Sequence, residues 1–302
     1  MTVAITGATG FVGQSVVEEA CRRGVALRAL ARREQAACDG VEWVRGDLGD
    51  REALASLVRG TEAVLHIAGV VNARDAAGFQ LGNVAGTEAV VAAAVAAGVK
   101  RFVLVSSLAA REPGLSNYGA SKRDAEEVVK ASSLDWTIVR PPAIYGPRDR
   151  EILEMFKLAR WGVVPVPSGG RTSIIHVADL ARLLLDLIPS SDRVSHGVFE
   201  PDDGRQGGWG QAKLARAIGR AVGKSVWAPT LPKGLLVAAS GFDRLVRRGG
   251  AKLTSDRVGY MRHPDWVCSP GKAPPRELWR AEIPTRDGLI GTASWYREQG
   301  WL

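Results

Sequence analysis

Apolar positions in the first 140 residues follow two alternating rhythms. Short β-branched runs at Val3–Ile5, Ala26–Leu30, Val41–Val44, Ala63–Ile67, Arg101–Ser106 and Trp136–Val139 have the length and composition of buried strands. Between them, helical spacing predicts helices over 11–23, 51–58, 83–97 and 118–131. A strand that returns parallel to its predecessor needs a crossover, so this alternation predicts a parallel sheet with helices on both faces. Val84–Ala97 is mostly Ala and Val, which suits close packing on that sheet. After Arg140 the rhythm breaks. Pro141, Pro142, Pro147, Pro165 and Pro167 interrupt the chain, Ser168-Gly-Gly170 adds a turn, and His176–Ile188 predicts one further helix returning to the first domain. From about residue 195 the pattern is irregular: six of the nine tryptophans fall at or after Trp209, and Glu200–Gly210, rich in Asp and Gly, reads as an exposed loop. The expected fold is α/β, a doubly wound parallel sheet over residues 1–190 with an excursion near 145–172. A small, mainly helical substrate-binding cap follows over 191–302.

At 302 residues, with 46% hydrophobic and 24% charged residues, the chain has the balance of an ordinary globular protein. Its net charge of +8 suits a nucleic acid, an anionic membrane surface or a phosphate-rich cofactor. The basic residues are spread along the chain and no nucleic-acid motif accompanies them, so nucleic acid is the weakest of the three and no such partner is expected. Met1–Thr6 is neither a basic leader nor a cleavable apolar segment, and no apolar run looks long enough to span a bilayer. Cys21, Cys38 and Cys268 are scattered and lack metal-ligand spacing, which predicts reduced, mostly buried thiols in a cytoplasmic protein and no metal site.

Two motifs carry chemistry. Thr6-Gly-Ala-Thr-Gly-Phe-Val-Gly13 follows the first strand and opens the first helix. Gly7 permits a tight turn, Gly10 lets the backbone approach a pyrophosphate, and Gly13 lets the helix sit close to the strand. The helix N-terminus adds unpaired N–H groups and a favourable dipole. The second strand ends Leu30-Ala-Arg-Arg33 with no acid to hold a ribose 2′-hydroxyl, so Arg32 and Arg33 are candidates for a 2′-phosphate and the expected cofactor is NADP(H). The second motif, Tyr118-Gly-Ala-Ser-Lys122, stacks a phenol and an ammonium on one helix face. A lysine there is expected to lower the phenol from its usual value of about 10.

With these residues in place, the chain resembles the extended short-chain dehydrogenase/reductases, from residue 1 to about 190 with a looser echo at the C-terminus. The spacing of Gly7, Gly10 and Gly13 is similar to the extended or atypical branch. Gly46-Asp47-Leu48, His66-Ile-Ala-Gly69, Asn83-Val-Ala-Gly-Thr87, Val105-Ser-Ser107, Pro141-Pro-Ala-Ile-Tyr-Gly-Pro147 and His176-Val-Ala-Asp-Leu180 match further elements of that family. The resemblance implies a Rossmann-type fold in which Tyr118 is the general acid, Lys122 holds the nicotinamide ribose and depresses the tyrosine, and Ser107 steadies the developing alkoxide. Ser106 is left as a strand-end hydroxyl pointing into the sheet, and Asn83 fixes local backbone. It also implies cofactor contacts from Gly7, Thr9, Gly10, Phe11 and Val12, from Arg32, Arg33, Asp47 and Leu48, from Ala68 and Gly69, from Tyr118 and Lys122, and from Pro141 and Ile144. His66 and His176 read as satisfied histidines at strand or helix ends.

Only ten residues, Leu108–Asn117, separate Ser107 from Tyr118, whereas sugar-nucleotide epimerases and dehydratases carry a longer insertion there. Their Arg before the His-Val pair is displaced here to Arg171, which weakens a nucleotide-phosphate clamp, although Arg148, Arg150 or Arg171 could substitute. Trp227, Leu231, Leu235, Leu236, Val237 and Phe242 form an apolar stretch followed by Arg244, Arg247, Arg248 and Lys252. It is either a core helix with a solvated basic end or a lipid-facing cap resting on an anionic membrane surface. The short loop resembles the branch containing the complex I accessory subunit and bacterial lipid-modifying reductases, with a layout most similar to the bacterial ceramide reductases. That resemblance implies an NADPH-dependent reductase of a ketone on a hydrophobic substrate, of 3-oxo-sphinganine or 3-oxo-ceramide type, acting in the cytoplasm or at the inner face of the membrane. The alternatives are a sugar-nucleotide epimerase or dehydratase with tightly bound NAD, and a non-catalytic NADPH-binding assembly subunit.

Overall fold

The computed structural model describes residues 1–231 and 263–302. The chain divides into two compact units. Unit 1 comprises Met1–Pro141, Ala178–Pro201 and Lys272–Arg280, and unit 2 comprises Pro142–Val177, Asp202–Gly271 and Ala281–Leu302. Unit 1 thus takes in residues 191–201 and 272–280, beyond the boundary at 190 read from the sequence. The apolar stretch from Leu235 to Phe242 and the basic residues Arg244, Arg247, Arg248 and Lys252 lie outside the described residues, as does the side chain of Leu231.

Unit 1 is built on a seven-stranded sheet of β1 (Thr2–Thr6), β2 (Ala26–Ala31), β3 (Val41–Arg45), β4 (Ala63–His66), β5 (Arg101–Val105), β6 (Asp135–Val139) and β7 (Gly197–Phe199). Its order is β7-β6-β5-β4-β1-β2-β3, and every neighbouring pair is parallel. β4 and β5 are buried along their whole length, as expected of strands covered on both faces. The side chains of Val64, Phe102, Leu104 and Ile138 share a core with Leu54, Leu57, Val90 and Val91 from the helices.

Local chemistry sets the helix ends. α1 (Phe11–Arg23) stops at Gly24, whose φ of 68° is left-handed and costs glycine nothing. α2 (Arg51–Val58) begins where the Asp50 carboxylate accepts from the Ala53 N–H at 3.0 Å. α3 (Ala76–Phe79), a π turn (Gln80–Ala85) and α4 (Gly86–Ala96) form one continuous run. These 21 residues are long and apolar enough to cross a membrane, contrary to the expectation that no such run exists. Phe79, Asn83, Thr87, Val90, Val91 and Ala94 are nonetheless buried within unit 1, the usual situation of a core helix. α5 (Asn117–Lys130) is capped by Ser116, whose hydroxyl accepts from the Gly119 N–H at 2.9 Å. α6 (Val177–Asp186) follows the proline-rich segment.

Three expectations are corrected here. β7 is a three-residue strand in a region read as irregular, and Glu200, placed in an exposed loop, is buried directly after it. Of the three cysteines only Cys268 is buried. Cys21 is exposed on α1, and its sulfur lies 3.6 Å from that of Cys38 in the loop before β3.

Unit 2 packs helices Leu153–Arg160, Gln211–Ala221 and Thr285–Glu298 through Phe156, Leu214, Ile218, Ala293 and Tyr296. Short strands accompany them: Ala143–Tyr145 pairs with Ile174–His176, and Arg171–Thr172 lies between Trp209–Gly210 and Asp265–Trp266. The Tyr296 hydroxyl donates to the Asp149 carbonyl oxygen at 2.8 Å. Trp227 is 68% exposed and pairs along the main chain with Val163, next to Trp161, which is 85% exposed.

Candidate active site

Because the sheet of unit 1 is parallel, the C-terminal ends of its strands fall on one edge, and that edge collects the residues expected to bind a dinucleotide. Gly7 follows β1, Arg32 and Arg33 follow β2, Asp47 and Leu48 follow β3, Ala68 and Gly69 follow β4, Ser107 follows β5 and Pro141 follows β6. Gly7 has φ +77°, and a Cβ on it would lie 2.6 Å from the Ala68 backbone nitrogen. A Cβ on Gly13 would lie 2.0 Å from the Gly7 carbonyl oxygen, so the first turn of α1 can approach the loop only with glycine there. Gly10 caps α1 with no side-chain hydrogen bond, and Thr9 and Gly10 are exposed. The cradle fits a pyrophosphate: small residues, an extended-to-helix turn, and helix N–H groups that no capping side chain occupies.

Arg32 and Arg33 are exposed just past β2, and the Ala31 carbonyl oxygen accepts from the Gly46 N–H at 3.0 Å, tying the ends of β2 and β3 together. The Asp47 carboxylate accepts from the Gly49 N–H at 2.8 Å, and Leu48 is half-buried beside Gly86. Ile144 lies on the Ala143–Tyr145 strand of unit 2.

Three consecutive residues at the end of β5 meet three successive rungs of α5. The Val105 carbonyl oxygen accepts from Lys122 Nζ at 2.8 Å, the Ser106 hydroxyl donates to Glu126 Oε1 at 2.5 Å, and Ser107 hydrogen-bonds the Tyr118 side chain. Tyr118, Lys122 and Glu126 are spaced four apart, so the helix repeat stacks them on one face. A Cβ on Gly69 would lie 3.6 Å from Lys122 Nζ and 3.0 Å from Asn83 Oδ1, which brings the turn after β4 to the same place. Asn83 fixes that turn: its Oδ1 accepts from the Val70 N–H at 2.6 Å and its Nδ2 donates to the Val70 carbonyl at 3.0 Å. The amide also donates to Ser121 Oγ on α5 at 2.9 Å.

His66 extends this network. Thr87 Oγ1 donates to the Asn83 carbonyl oxygen at 2.6 Å, so its remaining capacity toward His66 Nε2, 3.1 Å away, is as acceptor. Nε2 therefore carries the ring hydrogen, and Nδ1 accepts from the Thr6 hydroxyl at 2.6 Å. Thr6 Oγ1 in turn accepts from the Ala68 N–H at 3.3 Å. Burial holds His66 down at about 3, with the Lys122 charge acting in the same direction, so the ring is neutral.

The electrostatics correct one expectation. Burial raises the Tyr118 phenol above its ordinary value, and the hydrogen bond with Ser107 opposes that rise only in part. Lys122 is itself held down to about 8 by burial, with the Glu126 charge opposing the fall. The phenol is thus kept protonated at neutral pH.

The family model described as NAD(P)H-binding matches residues 7–190. Ceramide reductase of Caulobacter vibrioides is 40% identical over 314 residues, covering 99% of this chain and 96% of its own. The chain belongs to the extended short-chain dehydrogenase/reductases. As a member it is an NAD(P)-dependent oxidoreductase with a nicotinamide cofactor. A Stigmatella aurantiaca protein, 4-hydroxy-2-methyl-3-oxo-4-farnesyl-3,4-dihydroquinoline-1-oxide ketoreductase, is 32% identical over 61% of this chain and 64% of its own. The NAD complex of Thermus thermophilus UDP-glucose 4-epimerase shares the fold, with a TM-score of 0.72 at 20% identity over 98% of this chain and 99% of that one.

Around this dehydrogenase/reductase site lie charged residues that the sequence motifs did not single out. Arg140 donates from Nε to Glu126 Oε1 at 2.8 Å and from Nη2 to Oε2 at 2.6 Å. Arg140 also lies 3.6 Å from Glu200, which faces Arg111 at 3.8 Å and Lys272 at 3.5 Å. Glu126 sits four residues beyond Lys122, a spacing that could have flagged it, whereas its union with Arg140 and Glu200 exists only through the fold. In unit 2 two of the three arginines considered as phosphate clamps have other contacts: Arg171 donates to the Gly207 carbonyl oxygen, and Arg150 lies 4.7 Å over the Trp301 ring. Among the described residues no group of three or more His, Cys, Asp or Glu could hold a metal ion.

Proposed function

We propose that this protein is an NADPH-dependent reductase of a ketone on a hydrophobic, lipid-type substrate, with a 3-oxo-sphinganine or 3-oxo-ceramide group as the best candidate. The observation that carries the chemistry is the hydrogen bond between Tyr118 and Ser107 beside the buried Lys122. The substrate class is supported by the relatives: one matching nearly the whole chain is named a ceramide reductase, and another is a ketoreductase of a farnesylated compound.

Gly7, Thr9, Gly10, Phe11 and Val12 would hold the cofactor's pyrophosphate, and Arg32 and Arg33 its 2′-phosphate. Asp47 and Leu48 would border its adenine, and Ala68, Gly69, Pro141 and Ile144 would line the remainder. When bound, the nicotinamide supplies the hydride that reduces the carbonyl carbon. Ser107 donates a hydrogen bond to the carbonyl oxygen, and Tyr118 gives that oxygen its proton as negative charge develops there. The resulting phenolate is stabilised by the Lys122 ammonium on the same helix face. The reading places the enzyme in the cytoplasm, drawing substrate from the inner membrane surface, and the exposed Trp161 and Trp227 suit such contact.

A screen of NADPH oxidation with 3-oxo lipids beside nucleotide sugars, with products identified by mass spectrometry, tests the reading. Turnover of a 3-oxo lipid is expected. Tyr118→Phe is expected to lower kcat by about 10²- to 10⁴-fold while NADPH still binds. Turnover confined to nucleotide sugars, or full activity in the variant, overturns it.

A further inference from the structure

We propose that Glu126 is the positioning residue behind Lys122: clamped by Arg140 and Ser106, it holds a fixed negative charge one helical turn from the lysine and so keeps Lys122 an ammonium inside the protein. The inference rests on the reductase reading for its catalytic meaning, but not for its geometry. Lys122 is 5% exposed and Glu126 is 0% exposed, so neither charge is stabilised by water.

An ion pair as deeply buried as Glu126 with Arg140 is a poor device for stability alone, because desolvation offsets most of the Coulomb attraction. An apolar pair of similar volume would serve a core as well. What an apolar pair cannot do is place a carboxylate on the Tyr118–Lys122 face of α5. The carboxylate is fully committed in its orientation. Arg140 takes both oxygens, and the Ser106 hydroxyl donates to one of them at 2.5 Å. Ser106 is chain-adjacent to both Val105, which receives the Lys122 ammonium, and Ser107, which bonds Tyr118. The last residue of β5 and the two that follow it therefore set all three rungs of α5 against each other. On this view Ser106 is a positioning residue as well, and not only a strand-end hydroxyl.

Other charges face the same ladder. Lys122 is faced by His66 from β4, which its charge helps to hold neutral, and is flanked on α5 by Tyr118 and Glu126. Glu126 also meets Lys130, at 3.8 Å on the next turn. Arg140 is shared with Glu200, which is further neutralised by Arg111 and Lys272. Of these groups, the one that favours the charged form of Lys122 is Glu126.

The test reads Lys122 directly, by NMR of lysine labelled with ¹³C at Cε, the resonance being assigned by its loss in Lys122→Arg. In Glu126→Gln the Lys122 titration midpoint is expected to fall by about one pH unit or more. In Ser106→Ala and Glu126→Asp it should fall by less, because the carboxylate remains but is less firmly placed. The alkaline limb of the kcat profile should move with the midpoint, whereas a purely structural residue would lower kcat at every pH and leave the limb in place. A folded Glu126→Gln with an unchanged midpoint overturns the proposal. Should that variant not fold, unchanged midpoints in both Ser106→Ala and Glu126→Asp overturn it equally. Absence of ketone turnover in the unaltered protein would instead defeat the reductase reading, and the lysine titration would still decide the role of Glu126.

Discussion

His66 shows how a residue outside the chemistry can limit the conditions under which the site survives. Its ring is buried and neutral, held down to about 3 against an ordinary 6.5, so below pH 6.5 the unfolded chain takes up a proton that the folded chain refuses. The stabilisation is complete above 6.5 and is lost as pH falls toward 3, at about 1.4 kcal/mol per pH unit inside that window. Urea unfolding at pH 7, 6 and 5 should show the decline, and His66→Gln should start less stable at pH 7 but fall less steeply. A second expectation concerns Arg32 and Arg33. If they meet a 2′-phosphate, the double alanine variant should raise the KM for NADPH by about tenfold or more and leave that for NADH nearly unchanged. Equal KM values for the two cofactors in the unaltered protein would remove the arginines from this role.

At the scale of elements, what could be read from the chain was local, and what escaped was held together by tertiary pairing. The β1–Gly7–α1 turn was legible because the positive φ of Gly7 and the close approach of Gly13 to Gly7 are local demands, whereas the approach of Gly7 to Ala68 appears only in the fold. Tyr118 and Lys122 were legible because one helix fixes their spacing. β7 was not, since three residues leave no periodicity, and the strand exists because the β6 edge pairs with it. The π turn over Gln80–Ala85 was also missed. It lets Asn83 face Val70 and Ser121 together, within a run whose sequence reads as ordinary helix. The expected effect of Lys122 on Tyr118 failed for a related reason: spacing shows that two groups can meet, but burial decides which charge state each prefers.

At the scale of the whole molecule, unit 1 needs chain that the sequence pattern assigned elsewhere. β7 covers the edge of β6, Glu200 meets Arg140, and the Trp279 indole donates to the Asp179 carbonyl oxygen at 3.0 Å. A fragment of residues 1–190 lacks all three. It is expected to aggregate or melt without a cooperative transition, and size-exclusion chromatography with thermal circular dichroism would show this against the full chain. A monodisperse, cooperatively melting fragment would mean that the later stretches are dispensable. The chain passes between its two units five times, at residues 141, 177, 201, 271 and 280. During synthesis, then, unit 1 cannot be completed when its glycine turn and α5 have left the ribosome. Its β6 edge stays uncovered and Arg140 lacks Glu200 until residue 200 has emerged, and Asp179 lacks the Trp279 indole until residue 279 has, so for that interval the nascent unit depends on whatever shields it.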